Sequence, residues 1–471
     1  MSDFTRDPGS FRDPSGYVFS DGERVLRTLG ERGRERYEAA RASGLLEEAC
    51  ARGLIIASQV APGGFEDALR GARGEKPLQV IEHPRIPVIT YPYEWTFTQL
   101  RDAALQHLRL QLLALEYDFE LSDATAYNMQ FGTGQALPLH IDVLSIRPYR
   151  PGAPWEGYNQ FCRQFLFPLL LEGVGGVAFQ RWYRGSLNGL ELEDIRRLIP
   201  AWRRYTSLNL LLHVQAQASA VGRATSSDLA GEAIRLPRIS KVRYRAMLEG
   251  LRDWVGTLTS GRPRKTYWAD YAGLNSYEET EKREKLAFVE KMSRRWQARL
   301  VLDVGGNSGD YSTAVLAGGA VQAVCLDADL DALEGAYCRR SAGTLGLLPL
   351  VMDWSDPSPG QGWGLVERAP LRRRIEADML LALAVMHHIT IGGNVPLEAF
   401  VEQLFAHGKS VVVEYVPKQD RMVQGLLRSR EDIFPDYTRE GFECILQRYA
   451  NIEEICSIRD DGRVLFACRP R

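Results

Sequence analysis

Asp303-Val304-Gly305-Gly306-Asn307-Ser308-Gly309 decides how this 471-residue chain is read. It closes a continuous apolar run, residues 299–304, of the kind a buried strand requires, and it opens a helical pattern over residues 310–317. Glycines at such a junction let backbone approach a ligand closely and turn sharply into the helix. The spacing decides which ligand. Counting from Gly305, the third and sixth positions are Asn307 and Asp310; from Gly306 they are Ser308 and Tyr311. Neither register fits the dinucleotide fingerprint G-x-G-x-x-G, and no G-x-x-x-x-G-K-[ST] occurs. What fits is D-x-G-x-x-x-G, with an acid at the end of the next predicted strand (Asp327) and another after the third (Asp353, followed by Trp354).

Working outward, short apolar strands alternate with amphipathic helices. Ser276-Tyr277-Glu278-Glu279 is a capping box, which predicts a helix to about residue 297. Further strands are expected at 321–327, 347–352, 379–384 and 410–415, and a helix at 330–340. This alternation implies a parallel sheet covered by helices on both faces. Residues 452–458 and 464–468, joined by Asp460-Asp461-Gly462, predict a terminal hairpin. The fold class is therefore α/β: a mostly parallel sheet ending in an antiparallel hairpin, preceded by an α+β region. In such sheets ligands lie beyond the carboxyl ends of the strands.

Over roughly residues 266–471 the pattern resembles the class I S-adenosylmethionine-dependent methyltransferases. The resemblance implies a Rossmann-like domain and S-adenosyl-L-methionine as cofactor. It implies that Gly305, Gly306 and Gly309 line the methionine part and that Asp303 orients the loop. It implies that Asp327 accepts from the ribose hydroxyls, and that Asp353 meets the adenine amino group with Trp354 near the ring. Asn307 departs from the third glycine many members carry. The stretches 381–388, 413–420 and 432–438 are similar to rhizobial nodulation-associated, NoeA-like methyltransferases.

Methyl transfer needs alignment and, for an alcohol or amine, a proton acceptor. His387 and His388 follow the fourth strand, at the correct edge of the sheet, and imidazole titrates near neutrality. They serve as base or cap the next helix. Glu414 ends the fifth strand and orients an acceptor or makes a structural hydrogen bond. Tyr267, Trp268 and Tyr271 form a lid or pack between domains. The chain lacks N-P-P-[FY] after the fourth strand, a P-C dipeptide and a basic aromatic stripe, so nucleic acid is not expected as a substrate. The expected acceptor is a small molecule, methylated on oxygen or nitrogen.

The first half predicts an amphipathic helix at 98–119, a loop carrying Asp123 and Asn128, a hairpin, and Asp142 on a strand. Asp–x4–Asn followed about fourteen residues later by Asp resembles the catalytic loop and metal-binding Asp of protein-kinase-like phosphotransferases. Residues 16–27 would form the first hairpin and 87–95 a strand and hinge. The departures are large. The first Lys is Lys76, leaving Arg27 as the substitute for a third-strand Lys. The residues before Asp123 are Leu121-Ser122, and Asp142 is followed by Val143-Leu144. The resemblance implies a degenerate kinase-like fold that retains Asp123, Asn128 and Asp142 for nucleotide or metal.

Composition bounds the rest. Apolar residues are 45% and charged residues 25%, as in globular proteins. The 58 basic residues nearly cancel the 60 acidic ones, which predicts neither nucleic acid nor an anionic membrane as partner. Seven scattered cysteines without a CxxC pair argue against a disulfide framework and a zinc site, so no metal is expected. No apolar run spans a bilayer and the N-terminus lacks a signal-peptide core, so the expected location is cytoplasmic. The expected division is 1–215, a linker with a connecting helix at 216–265, and 266–471.

Overall fold

In the computed structural model the residues described are 4–70, 74–200, 202–203, 207–216, 238–263, 276–428, 431–458 and 462–471. The chain divides into two units. The first is Met1–Pro263 with Gln361–Arg368; the second is Arg264–Gly360 with Ala369–Arg471. Within the expected linker, 216–265, residues 217–237 lie outside the described residues, as does the aromatic trio Tyr267, Trp268 and Tyr271.

The first unit opens with β1 (Thr5–Arg6), β2 (Val18–Ser20), β3 (Val25–Leu29), β4 (Gln59–Val60) and β5 (Gln79–His83). They form an antiparallel sheet in the order β1-β2-β3-β5-β4. The hairpin expected at 16–27 is the β2–β3 pair. The strand expected at 87–95 is absent: Pro87 and Pro92 lack N–H donors, and Pro92–Glu94 is a short 3-10 turn instead. The helix is Phe97–Glu116, started by a capping box between Thr96 and Gln99. It stops short of residue 119 because Asp118 takes φ +64 and Phe119 enters a strand.

Four short strands follow: β6 (Phe119–Leu121), β7 (Met129–Gln130), β8 (Leu139–His140) and β9 (Ile146–Pro148), paired β6–β9 and β7–β8. Asp142 was expected on a strand, but β8 ends at His140. The Asp142 carboxylate instead accepts from Leu144 N–H and caps the turn Val143–Ser145. Helix Lys241–Thr257 belongs to this unit, where the Gln111 amide donates to Tyr244 Oη at 2.8 Å.

The second unit holds β10 (Leu300–Val304), β11 (Gln322–Asp327), β12 (Leu347–Val351), β13 (Met379–Ala382), β14 (Val411–Tyr415), β15 (Ala450–Ser457) and β16 (Val464–Pro470). The sheet order is β12-β11-β10-β13-β14-β16-β15. β10 to β14 pair in parallel, and β16 runs antiparallel to β14 and β15. The central strands are buried almost throughout, as a sheet covered on both faces demands. β13 stops two residues early, and Ala384 follows with φ +54. Strand order reverses at β10, so the crevice beyond β10 and its neighbours is where a ligand belongs. Among the described residues, no helix is long and apolar enough to cross a membrane.

Candidate cofactor and acceptor site

In the loop between β10 and helix Asp310–Ala317, Gly305 and Gly306 have no room for a Cβ. Gly305 has φ +69, and a Cβ on it would lie 2.2 Å from Val385 Cγ2. A Cβ on Gly306 would meet Cys325 Sγ at 2.6 Å and Asp303 Oδ2 at 2.8 Å. Gly309, at φ +78, is the residue from which the helix starts. Every N–H of the loop is spent internally. Gly305 and Gly306 donate to Leu326 O, Asn307 to Asp327 Oδ2, Ser308 to Asn307 Oδ1, and Gly309 to Gly306 O. A phosphate cradle needs such donors unspent. This loop suits a ligand without phosphates.

Three acids take different places. Asp303 is buried, accepts from Ser312 Oγ at 2.6 Å, and so fixes the helix that leaves the loop. Burial pushes its carboxyl up to about 7; the Ser312 bond opposes this and the nearby Asp327 charge adds to it. Asp327 ends β11, half-buried. Its Oδ1 accepts from Asp329 N–H and its Oδ2 from Asn307 N–H, both at 2.8 Å, so the carboxylate is held against the glycine loop. Burial raises its carboxyl above the ordinary value, against the pull of those backbone bonds. Asp353 is exposed and accepts from the Ser355 N–H and hydroxyl, while Trp354 meets the His407 ring edge-on at 4.8 Å.

On the β13–β14 side, His387 is 1% exposed, and neither ring nitrogen has a partner among the described residues. Its ring centroid lies 4.2 Å from that of His388, which is half-buried. Burial lowers both imidazoles, His387 to about 3, so the His387 ring is neutral across the physiological range. Glu414 is fully buried at the end of β14. Its Oε1 accepts from Lys285 Nζ at 2.7 Å and from Arg463 Nη1 at 3.3 Å; Oε2 has no partner among the described residues. Arg463 also pairs with Asp420 at 2.7 Å.

Sequence reasoning missed Ser312, Lys285, Asp420 and Arg463. Lys285 left a signal. It shares a helix face with Phe288, Val289, Met292 and Trp296, all buried, where a lone Lys must have a partner.

In the first unit one of the retained positions, Asp142, pairs with Arg27. This side chain, on β3, donates to Asp142 Oδ1 at 2.5 Å and to Asp13 Oδ2 at 2.8 Å, while its buried Nε–H has no acceptor among the described residues. Asn128 Nδ2 donates to Asp123 Oδ2 at 3.2 Å. Burial raises the Asp123 carboxyl, and the Asp142 charge adds to it. Among the described residues no three His, Cys, Asp or Glu side chains converge on a metal-sized site.

No family model matches the chain. Among solved structures it is similar to the N-methyltransferase NodS from Bradyrhizobium japonicum WM9: 14% identity, 42% of this chain and 97% of that one, TM-score 0.30. It is also similar to the bifunctional kinase-methyltransferase WbdD: 14% identity, 44% of this chain and 42% of that one, TM-score 0.29. The nodulation protein NoeA of Rhizobium meliloti (strain 1021) is 38% identical over 461 residues, 97% of this chain and 94% of that protein. The second unit has a mixed α/β fold with a mostly parallel sheet, and the chain belongs to the family of the nodulation protein NoeA.

Proposed function

We propose that the second unit binds S-adenosyl-L-methionine and transfers its methyl group to an oxygen or nitrogen of a small-molecule acceptor. The observation that carries this is the pairing of Asp327 with a glycine loop whose N–H groups are all spent. A carboxylate at a strand end, each oxygen with acceptor capacity left, suits two vicinal ribose hydroxyls. A loop without unspent donors disfavours a nucleotide phosphate beside it. Gly305, Gly306 and Gly309 give the methionine part room, Asp303 holds the loop through Ser312, and Asp353 with Trp354 takes the adenine end.

When bound, the cofactor supplies an electrophilic methyl carbon; the protein adds position and a proton acceptor. His387, His388 and Glu414 take the second task. His387 is neutral and so able to accept a hydrogen bond, and Glu414 Oε2 is an acceptor with no donor of its own.

Calorimetric titration of S-adenosylmethionine into the full chain, beside Asp327→Ala, tests the reading. Saturable binding weakened at least about tenfold is expected, as for the loss of hydrogen bonds to a charged group. No heat from a folded wild-type protein would sink it.

A second reading concerns the first unit, and the cluster at Arg27 favours it. The buried Nε–H with no acceptor among the described residues suits a phosphate oxygen, and the pairing of Asp142 with Arg27 takes up the carboxylate that would hold a metal. This unit would bind a nucleotide without metal-assisted phosphoryl transfer.

A further inference from the structure

Helices Phe97–Glu116 and Lys241–Thr257 pack against each other within the first unit. Arg245 donates to Glu116 at 3.0 Å at one end, and Arg101 donates to Leu258 O at 3.3 Å at the other, so they run antiparallel. A cavity of about 330 Å³ lies along this pair, with Arg52, Leu54 and Leu137 as its third wall. That is the size of a small-ligand pocket. Its floor is apolar: Leu54, Leu112 and Leu113 line it, and all three are buried. Its rim is charged, with Arg52, Arg109, Arg245 and Arg252 beside Glu116 and Glu249.

The charges divide by end. Arg245 is shared between Glu116 at 3.0 Å and Glu249 at 2.9 Å, so that end carries one surplus negative charge. Arg52 is balanced by Glu48 at 2.6 Å. Seven residues along each helix from the Arg245–Glu116 pair, about two turns, stand Arg252 and Arg109, which line the same cavity. Arg252 pairs with Asp253 at 2.7 Å. Arg109 meets no carboxylate among the described residues; it donates to Gln106 Oε1 at 2.7 Å. Gln106 is 4% exposed, and its amide also donates to Pro138 O at 3.3 Å, so a buried side chain fixes the guanidinium at the cavity wall. The four guanidiniums and four carboxylates cancel as a set, with one surplus positive charge at Arg109 and Arg252. Glu47, Arg101, Asp102, Lys241 and Arg243, the other charged side chains on these elements, do not line the cavity.

These features select a ligand class. Both glutamates are committed to Arg245, so the uncommitted charge is cationic. A monoanion at Arg109 and Arg252 would neutralise it, whereas a dianion would leave a surplus and an ammonium group would be repelled. Guanidinium forks match the geometry of a carboxylate. The leucine floor takes an apolar body.

We propose that this cavity binds a carboxylate monoanion with an apolar body, its carboxylate at Arg109 and Arg252 and its body over Leu54, Leu112 and Leu113. The site shares no residue with the Arg27 cluster and does not depend on the methyl-transfer reading.

Three probes test it: hexanoate, acetate and hexylammonium. Each is titrated into the full chain with saturation-transfer NMR as readout, for the wild type, Arg109→Gln, Arg252→Gln and Arg243→Gln. Arg243 is exposed on the same helix as Arg252 and outside the cavity, so its variant is the control. Arg109 is exposed and bonds only Gln106 among the described residues, so its loss leaves the core packing in place. Saturable binding of hexanoate is expected. Acetate should bind at least about tenfold more weakly, for want of the apolar body, and hexylammonium should not saturate. Arg109→Gln and Arg252→Gln should each weaken hexanoate at least about tenfold, and Arg243→Gln should leave it unchanged. The site is overturned by folded wild-type protein that does not saturate with hexanoate, or that binds acetate or hexylammonium as tightly. It is equally overturned if either Arg109 or Arg252 is dispensable, or if Arg243→Gln costs as much as they do, which would mark a general effect of surface charge.

Discussion

Burial pushes the Asp303 carboxyl up from 3.8 to about 7, although the Ser312 hydroxyl donates to it. The sign of the consequence is fixed. Between about pH 4 and 7 the folded protein holds a proton that the unfolded chain has released, so stability falls as pH rises through this window. Above it the full cost of the buried charge is present. Asp303→Asn keeps an acceptor for Ser312 and removes the charge. The variant is expected to gain on the wild type by up to a few kcal/mol at pH 8, with the gain vanishing toward pH 4. Urea unfolding at the two pH values measures this, and a gain of equal size at both would contradict it. The place of Asp303 at the end of β10, just before the glycine loop, was legible from the sequence; its partner Ser312 was not, because a helix hydroxyl nine residues away carries no local signature.

Elements were legible where one local rule governed them. Helix Asp310–Ala317 and the β15–β16 hairpin followed from apolar period and turn residues. The strand expected at 87–95 failed because apolar and aromatic content outweighed two prolines in the reading and not in the chain. The join between helix Ser276–Trp296 and β14 was invisible, since it depends on one contact spanning 129 residues: Lys285 Nζ to Glu414 Oε1 at 2.7 Å, with both residues buried. Removing one member of a buried pair leaves the other uncompensated. Lys285→Met, close in volume, is therefore expected to cost roughly 3–5 kcal/mol in urea unfolding. The exposed pair Lys291–Glu454, on the same helix, provides the control: Lys291→Met should cost less than about 1 kcal/mol. Equal losses would mean that the helix is held by its apolar face alone.

At the scale of the molecule, the likeness to NoeA runs through 97% of the chain and so takes in both units. The second unit's glycine loop was legible because residues 303–309 are contiguous. The first unit's cluster was not, because Arg27, Asp123 and Asp142 are brought together only by the fold. What Arg27 does there separates two chemistries. In a metal-assisted phosphotransferase, Asp142 would bind the cation, and its loss would weaken nucleotide binding. Here Asp142 already neutralises Arg27 at 2.5 Å and would compete with a phosphate for it. ATP titrated into the full chain is therefore expected to bind equally with Mg2+ and with EDTA, and to bind more tightly in Asp142→Asn. Asp327→Ala should leave that affinity unchanged, because its carboxylate belongs to the other unit. Binding abolished by EDTA and weakened by Asp142→Asn would instead mark a working phosphotransferase, with Arg27 yielding the carboxylate to the metal.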